Sequence, residues 1–425
     1  MPNRPYGSIL RGMSEQRMKV TIVGGGVAAL EAMIALRRLA EERLRIELVT
    51  PTPEWAYRPM AVAEPFGLGE AKRYDLVRIT RDHGAAMHLA GVQAVRPEAH
   101  ELLTWDGRTF EYELLLVAIG AQPMNALPGS VTVRGPGYTG RFRTMLRQLE
   151  QRRITRVAFA VPAGASWPLP LYELALMTAA HVAQRGLRGV ELSLVTPEEE
   201  PLELFGPAAS NAARELLAGR SVALHTARFP ANVREGELLT TPAGSIAADR
   251  VVSLPRLRGP FLAGLPRDPD GFIPTDLHGL VFCERDVYAA GDATTCPVKQ
   301  GGLAAQQADA AAEAIAARAG ADVHPRPFRP VLRGMLLTGA APRYLRADVR
   351  GAAGDSSTAS DQALWWPPSK IAGQWLAPYL ALGNEELEAP PGVAVDTDLT
   401  AIKWRAMVGR DRDGRATLVH AGPPS

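Results

Sequence analysis

Val20–Ala32 reads VTIVGGGVAALEA, and this stretch carries the strongest fold signal in the chain. Its apolar, β-branched beginning predicts a buried strand, whereas its alanine-rich end begins a helix that we expect to reach Ala40. Between them, Gly24, Gly26 and Ala29 fill the G-x-G-x-x-G/A pattern in the position that it requires, after a strand and before a helix. The stretch therefore predicts an α/β unit that binds the phosphates of a dinucleotide.

Each residue of this turn has a physical role in the prediction. Gly24 can make the tight turn, Gly26 lets a pyrophosphate approach the backbone, and Ala29 lets the helix pack closely on the strand. Val27 precedes the predicted helix, Ala28–Ala40, whose free N–H groups and partial positive charge favour phosphate. The alternative is a glycine turn with a purely structural role.

The next predicted strand, Arg45–Thr50, departs from the usual dinucleotide pattern. That pattern places an acidic residue about 20 residues further on, at the tip of the second strand, to bind the adenosine ribose. Thr50 occupies this tip, and Glu47 lies inside the strand. We therefore expect a hydroxyl or a backbone group of this strand to contact the ribose.

Val287–Ala305 reads VYAAGDATTCPVKQGGLAA and predicts a second glycine turn. A short strand, Asp286–Ala290, leads into Gly291 and Asp292, and a carboxylate on a tight turn at a sheet edge suits the hydroxyl groups of a polyol. The helix Leu303–Arg318 follows, and a glycine-led helix N-terminus can stabilise the reduced, anionic form of an electron-rich ring. The residues that open this helix are Lys299, Gln300, Gly301 and Gly302.

A third piece, Leu114–Gln122, is a predicted buried strand that ends in Ala118, Ile119 and Gly120. In this order, the three pieces resemble the pyridine nucleotide-disulfide oxidoreductases, which are flavoproteins with two dinucleotide-binding domains. Within them, the motifs most resemble sulfide:quinone oxidoreductases, flavocytochrome c sulfide dehydrogenases and type II NADH dehydrogenases. The resemblance implies an α/β fold with two Rossmann-like dinucleotide-binding domains, of which the FAD domain is discontinuous, and a C-terminal α+β module.

The resemblance also implies a site for FAD. In such a site, Asp292 binds the ribityl chain, the backbone of Val92 meets adenine, and Arg58 and Pro59 belong to the loop beside the flavin. Lys299 begins the K-x-G segment typical of the sulfide:quinone branch. The residues assigned to FAD on this basis are Gly24, Gly26, Val27, Ala28, Ala29, Thr50, Arg58, Pro59, Val92, Ala118, Ile119, Gly120, Gly291, Asp292, Lys299, Gln300, Gly301 and Gly302.

The chain is long enough for two or three domains. The implied limits are 18–140 with 270–325 for the FAD domain, 141–269 for a second NAD-binding-like domain, and 326–425 for the C-terminal domain. In the last of these, Val331–Thr338 and Arg343–Val349 predict a β-hairpin. Gly351–Ser360, which reads GAAGDSSTAS, predicts a flexible loop.

The second domain departs from a nicotinamide-binding domain. After the predicted strand Ile154–Val161 comes PAGASWPLP, in which only Gly164 is a glycine. Trp167 adds bulk, and Pro168 and Pro170 remove backbone donors where phosphates would need them. The acidic run after the next predicted strand would repel a 2′-phosphate, which disfavours NADP. The alternative is an ordinary NAD loop that tolerates these changes.

Three residues are candidates for catalysis. Glu173 matches the position of a family glutamate near the nicotinamide–flavin contact and could tune a hydride or proton transfer. Lys299 could stabilise negative charge on reduced flavin. Cys296 lies four residues after Asp292 and could be a reactive thiol. The alternatives are a solvated helix carboxylate, a plain surface lysine and a packing cysteine.

The chain has two cysteines, Cys283 and Cys296, and neither lies in residues 51–150, where a redox-active disulfide of this family would need one. Oxidation of sulfide through flavin-flanking cysteines is therefore not predicted. The eight histidines have no metal-ligand spacing, so we predict no metal site.

Composition narrows the class of protein further. The net charge of +2 and the absence of a basic cluster with interleaved aromatic residues argue against nucleic-acid binding. Met1–Arg17 predicts a loose extension without a signal peptide, and no run approaches the roughly 20 apolar residues of a membrane helix. We therefore expect a cytoplasmic protein, with a peripheral position at the membrane as an alternative.

The C-terminal part is rich in aromatic residues. Trp365 and Trp366 precede a segment, Ile371–Leu382, in which Trp375 and Tyr379 share one helical face. Such a face can lie at a membrane interface. The simpler interpretation is that it packs on the FAD domain or on a second subunit of a homodimer.

The sequence predicts an FAD-dependent oxidoreductase that passes electrons from a small donor through the flavin to a quinone-like acceptor. One alternative is an NAD(P)H-dependent flavin reductase that binds nicotinamide despite the altered loop. The other is a non-enzymatic flavoprotein that acts as a redox sensor or electron carrier with a protein partner.

Overall fold

The structure is a computed structural model of the 425-residue chain. It describes residues 17–134, 137–242, 244–348, 356–381, 408–410 and 416–418. Nearly all of the predicted N-terminal extension, Met1–Arg17, lies outside the described residues, and so does the part of the predicted loop that precedes Ser356. Leu382, the predicted end of the aromatic segment, is also outside them.

A first sheet consists of five parallel strands. Their spatial order is Val287–Ala289, Leu114–Val117, Met18–Val23, Leu44–Thr50 and Ala86–Leu89. The apolar central strands are covered on both faces, as parallel sheets require. The strand order reverses at Met18–Val23, the first described strand. In open α/β sheets, ligands bind at the carboxyl ends of the strands where the order reverses. A ligand site is therefore expected at the residues that follow Val23 and Val117.

A second sheet repeats this arrangement with five more parallel strands. Their spatial order is Val131–Thr132, Arg250–Ser253, Arg156–Ala160, Glu191–Val195 and Val222–His225. The strand Val287–Ala289 completes the first sheet from beyond the second sheet in the chain. The predicted fold class, α/β with two dinucleotide-binding units, is confirmed. The limits given above for the three domains stay predictions.

Helices and short 3-10 turns connect and cover the strands. The α-helices are Val27–Ala40, Leu76–Asp82, Tyr138–Glu150, Leu169–Gln184, Pro207–Ala218, Gly301–Arg318 and Leu376–Ala381. The 3-10 turns are Glu41–Arg43, Arg58–Val62, Glu64–Phe66, Pro97–Ala99, Glu203–Phe205 and Gly291–Ala293. Val27–Ala40 and Gly301–Arg318 pack side by side, because both present alanines to each other and small side chains let helices approach closely.

Smaller antiparallel sheets complete the described fold. The three-stranded sheets are Val92–Arg96, Glu101–Thr104 and Thr109–Glu111; Phe229–Arg234, Glu237–Thr241 and Gly244–Ala247; and Val331–Leu336, Arg343–Asp348 and Ser356–Ser360. The two-stranded pairs are Glu54–Ala56 with Arg73–Asp75, Gln122–Met124 with Arg256–Arg258, and Val408–Arg410 with Ala416–Leu418.

Two predictions about the C-terminal part are wrong. Ser356–Ser360, placed in a flexible loop from its polar composition, is a strand because it pairs with Arg343–Asp348. The aromatic segment is helical only from Leu376 onward. The predicted hairpin itself is present, with Val331 opposite Asp348.

Three tryptophans in the described residues of the C-terminal part are buried. Trp365 is 1% exposed, and Trp366 and Trp375 are buried as well. Trp375 joins the apolar core formed by the first sheet and its helices. These indole rings are therefore packed inside the molecule, as in the simpler interpretation, and are not displayed towards a membrane. Within the described residues, no helix combines the length and the apolar character that crossing a bilayer requires.

Candidate functional site

Two glycine turns meet at the carboxyl edge of the first sheet. We call Gly24–Ala29 the first elbow and Gly291–Gly302 the second elbow. A Cβ atom added to Gly291 would lie 3.0 Å from Cβ of Ala28 and 3.3 Å from Cβ of Ala304. Gly291 also has a φ of +80°, which favours glycine. The two elbows, more than 260 residues apart in the sequence, are therefore in direct contact.

The first elbow is fixed by its neighbour across the sheet. Gly24 has a φ of +124°, and a Cβ atom there would lie 2.2 Å from the carbonyl oxygen of Ala118. The N–H of Gly24 donates to the carbonyl of Val49 at 2.9 Å. Because backbone closes on this position from the adjacent strand, only glycine fits at the turn.

Gly26 differs from Gly24 because space opens in front of it. No atom lies within 4 Å of the position that its Cβ atom would take. Gly26 is the N-cap of the helix Val27–Ala40, and no side chain caps the helix there. The first N–H groups of a helix carry partial positive charge. An anionic group could therefore approach the backbone at this point, which is what a pyrophosphate requires.

Asp292 presents a partly buried carboxylate to the same edge. Within the described part of the chain, its carboxylate has no hydrogen-bond or ion-pair partner. Burial raises the pKa of Asp292, and the positive charge of Lys299 opposes that rise. A carboxylate that has lost part of its hydration and has no protein donor is stabilised when a ligand supplies one. Hydroxyl groups of a polyol chain are suitable donors, so this residue fits a ribityl group.

Lys299 is held close behind Asp292. Its ammonium group donates to the carbonyl of Thr294 and lies 3.8 Å from the centre of the Phe272 ring. The residue is 7% exposed, and burial lowers the pKa of its ammonium group while Asp292 opposes that shift. The alternative of a plain surface lysine is therefore excluded by its position.

The second elbow ends in a capped helix. The side-chain oxygen of Gln300 accepts the N–H of Leu303 at 2.8 Å, and its amide nitrogen donates to the carbonyl of Arg333 at 3.0 Å. A Cβ atom on Gly301 would lie 2.9 Å from the side chain of Ile371. The start of this helix is therefore partly covered by the C-terminal part of the chain.

Two glutamines that follow the second elbow support it from within. The side-chain oxygen of Gln307 accepts from the N–H of Gly291 and from the hydroxyl of Thr294, both at 3.0 Å. Gln306 exchanges hydrogen bonds with the backbone of Val331. Gln307 therefore braces the turn that contains Asp292, a role that its spacing from the glycines did not reveal.

Glu173 lies in the interior and is paired. Its carboxylate accepts from the ammonium group of Lys370 at 2.5 Å and 2.7 Å, and from the N–H of Leu337 at 2.9 Å. Burial raises the pKa of Glu173, and Lys370 opposes the rise. The alternative of a solvated helix carboxylate is wrong, because Glu173 is fully buried. Its catalytic role stays a prediction.

Both cysteines are free thiols. Cys296 lies within the second elbow and is partly buried, with its sulfur 3.7 Å from the carbonyl oxygen of Val298. Burial raises the pKa of Cys296, which reduces its thiolate fraction and hence its reactivity. Cys283 is exposed.

The other residues assigned to the cofactor follow the same edge. Thr50 is buried behind the first elbow, with its hydroxyl 2.7 Å from the position of a Cβ atom on Gly25. Ile119 and Gly120 continue from Ala118 and are partly exposed. The remaining three are Arg58, which is exposed, Pro59 in the adjoining 3-10 turn, and Val92 at the start of a strand. These assignments stay predictions.

The matching edge of the second sheet is occupied by protein groups. Trp167 packs against Phe205, with ring centres 5.5 Å apart. The carboxylate of Glu198 accepts from the hydroxyl of Tyr172 at 2.6 Å and from that of Thr196 at 2.7 Å. The acid nearest the strand end therefore already has donors, so it does not offer a free carboxylate to a ribose.

Three residues near the site were not predicted by any sequence motif. Glu31, Tyr57 and Lys370 lie on different elements, and each is hydrogen-bonded to a distant segment: Glu31 to Trp375, Tyr57 to Ile371 and Lys370 to Glu173. The one local signal is Glu31, an acidic residue within the apolar helix Val27–Ala40. Contacts across more than 190 residues of sequence have no local pattern.

Comparison with known proteins gives a consistent picture. The sequence profile of the pyridine nucleotide-disulphide oxidoreductase family matches residues 18–315. A sulfide-quinone reductase of Aquifex aeolicus (strain VF5) is 26% identical over 208 residues, which are 47% of this chain and 47% of that protein. The chain thus spans about half the length of this curated relative.

Solved structures share the fold. The sulfide:quinone oxidoreductase of Aquifex aeolicus superposes with a TM-score of 0.72 at 19% identity, covering 81% of this chain and 86% of that chain. A ferredoxin reductase of Rhodopseudomonas palustris superposes with a TM-score of 0.59 at 18% identity, covering 78% of this chain and 83% of that chain.

Proposed function

Because the chain belongs to the pyridine nucleotide-disulphide oxidoreductase family of flavin-dependent oxidoreductases, we propose that the edge shared by its two elbows binds FAD. One observation carries the proposal: Gly291 is packed between Ala28 and Ala304, so Asp292, the next residue, lies beside the start of the helix whose N-cap is Gly26. A phosphate-binding turn and a polyol-binding carboxylate at one edge are what this cofactor needs.

The residues of the edge divide the work of binding. The N–H groups that follow Gly26 hold the pyrophosphate, since neither a side chain nor a cap competes for them. Asp292 accepts hydrogen bonds from the ribityl hydroxyls. Lys299 places a positive charge at the end of the site where the flavin ring would lie, and Phe272 limits the access of water to that charge.

We assign the protein a transfer of electrons from a small donor to a quinone-like acceptor. Bound FAD would supply reversible two-electron chemistry. The ammonium group of Lys299 would stabilise negative charge that develops at this end of the site. The carboxylate of Glu173 accepts a hydrogen bond from the ammonium group of Lys370. We propose that this carboxylate can hold a proton for an acceptor that takes up protons together with electrons.

Two observations restrict the class of electron donor. The two free cysteines do not form the pair that sulfide oxidation through cysteine would need. NADH is disfavoured because Trp167 and the bonded Glu198 occupy the second edge. We propose a cytoplasmic protein. Formation of a homodimer stays a prediction.

An anaerobic reduction series tests the function. The FAD-loaded protein is mixed with NADH, NADPH and sulfide in separate experiments, and a soluble quinone is then added. We expect a small donor other than a pyridine nucleotide to bleach the flavin, and the quinone to restore its colour. Rapid bleaching by NADH would instead establish the reductase. Flavin that no small donor reduces would establish an electron carrier.

A further inference from the structure

One segment of the C-terminal part crosses the proposed FAD site. We call residues 365–381 the strap. It begins at the buried Trp365, whose ring nitrogen donates to the carbonyl of Ser369 at 2.9 Å. It ends in the helix Leu376–Ala381, where the hydroxyl of Tyr379 donates to Asp82 at 2.7 Å. The strap therefore connects the C-terminal sheet with the far side of the first sheet.

Glu31 is the innermost attachment of the strap. It is fully buried on the helix that begins at the first elbow, and its two carboxylate oxygens accept the N–H groups of Trp375 and Leu376 at 2.7 Å and 2.8 Å. Side-chain acceptors at the start of a helix satisfy N–H groups that have no partner within the helix. Glu31 thus serves as a cap supplied from another part of the chain.

The fit of the strap against Glu31 is close. A Cβ atom on Gly373 would lie 2.5 Å from one carboxylate oxygen of Glu31 and 3.0 Å from its carboxyl carbon. The atoms of Glu31 are the three nearest to that position, so a side chain at position 373 would have to displace the Glu31 carboxyl group.

Two further attachments place the strap beside the flavin end. The N–H of Ile371 donates to the hydroxyl of Tyr57 at 3.0 Å, and the side chain of Ile371 covers Gly301. The preceding residue, Lys370, is paired with Glu173. Residues 370 and 371 therefore contact three parts of the molecule: the second elbow, the loop that contains Tyr57, and the helix Leu169–Gln184, which carries Glu173.

We propose that Glu31 is a positioning residue, which holds the strap so that Ile371 covers the flavin end of the site and shields it from solvent. The inference rests on the proposed function, because it assigns the covered end to FAD. Glu31 itself lies one helical turn beyond Ala28 and acts through the backbone of residues 375 and 376.

The first test compares Glu31→Ala with Glu42→Ala, a substitution at an exposed surface ion pair. We expect Glu31→Ala to expose bound flavin to collisional quenching by iodide, and to speed amide exchange in the strap by about tenfold or more, since two backbone hydrogen bonds to the carboxyl oxygens of Glu31 are lost. Glu42→Ala should leave both unchanged.

The second test uses Gly373→Ala, alone and together with Glu31→Ala. Alone, it should open the strap as Glu31→Ala does, because the added methyl group collides with the carboxylate. In the double variant it should add little, because the colliding atoms are gone. A general loss of stability would not produce this dependence on Glu31.

The outcomes separate this inference from the proposed function. Flavin that is bound but equally protected from iodide in Glu31→Ala would overturn the role of Glu31 and leave the FAD site intact. Additive effects of the two substitutions would overturn it as well. A purified chain that binds no flavin at all would overturn both proposals.

Discussion

Three glycines of the site are required for three different physical reasons. Gly24 is enclosed by the backbone at Ala118, and Gly291 is enclosed by the side chains of Ala28 and Ala304. Gly26 has extended backbone angles and faces open space, so the fold itself does not demand glycine there. Its requirement comes from a ligand, which makes it the most informative residue to change.

Gly26→Val should separate binding from folding. We expect its free energy of unfolding to stay within about 0.5 kcal/mol of the wild-type value, because the side chain enters open space. Its affinity for FAD should fall by at least about tenfold, because the side chain blocks the approach of the pyrophosphate. Urea denaturation and an FAD titration measure the two effects.

Gly140→Val is the matched control for that experiment. No atom lies within 4 Å of its Cβ position either, and it is exposed on the helix Tyr138–Glu150. It should bind FAD normally. A Gly26→Val protein that also binds FAD with unchanged affinity would contradict the assignment of the first elbow to phosphate.

Asp292→Asn should change stability and binding in opposite directions. Burial raises the pKa of Asp292, so the folded protein binds its proton more tightly than the unfolded chain does. The free energy of unfolding is therefore highest at low pH, and it falls as the pH rises above 3.8, which is the pKa of this residue in the unfolded chain. At neutral pH, the Asp292→Asn apoprotein should therefore be more stable than the wild-type apoprotein.

The same variant should bind FAD more weakly, because an amide accepts hydrogen bonds from hydroxyl groups less strongly than a carboxylate does. A loss of about tenfold corresponds to one such bond. Thermal unfolding without cofactor and an FAD titration test the two halves. Lower apoprotein stability combined with unchanged affinity would show that Asp292 is structural.

At the scale of elements, the helix that begins at the first elbow has two functions. Its start is open at Gly26, and one turn later Glu31 caps the helix Leu376–Ala381 of the strap. The helix that begins at Gly301 packs beside it and carries Gln307, which braces Gly291. These two alanine-rich helices therefore position both elbows and the cover above them.

The charge of Glu31 should make this arrangement sensitive to pH. Burial raises its pKa from 4.5 to about 7, so the folded protein holds a proton that the unfolded chain releases. The free energy of unfolding should therefore fall as the pH rises between these values, by up to about 1.4 kcal/mol per pH unit. Glu31→Gln, which does not titrate, should lack this contribution.

Urea denaturation at a series of pH values across this window measures the difference. The exposed Glu42→Gln serves as the control and should keep the wild-type slope. Parallel pH profiles for wild type and Glu31→Gln would show that the carboxyl group of Glu31 does not exchange its proton in this range.

Local sequence predicted those elements whose residues alone determine them. The strand before Gly24 and the alanine-rich helices follow from periodicity, and they form as expected. Ser356–Ser360 was misassigned because its polar residues become a strand only through pairing with Arg343–Asp348. No prediction covered the helix Tyr138–Glu150, whose arginines and internal glycine weaken the helical pattern.

At the scale of the whole molecule, the chain closes one edge of the first sheet with segments that lie far apart between Gly24 and Ala381. The elbows are predictable from sequence, because glycine spacing carries the chemistry of phosphate binding. The strap is not, because the contacts of Lys370 with Glu173 and of Trp375 with Glu31 join distant segments through general hydrogen bonding. The family relationship accounts for the fold.

The central claim is that the two elbows together grip one flavin. The most direct measurement is the visible absorption spectrum of the purified protein after incubation with FAD and removal of the free cofactor. We predict a yellow protein with the absorption of bound flavin in a ratio of about one per chain, and loss of that absorption in Gly26→Val but not in Gly140→Val. A colourless wild-type protein would contradict the account.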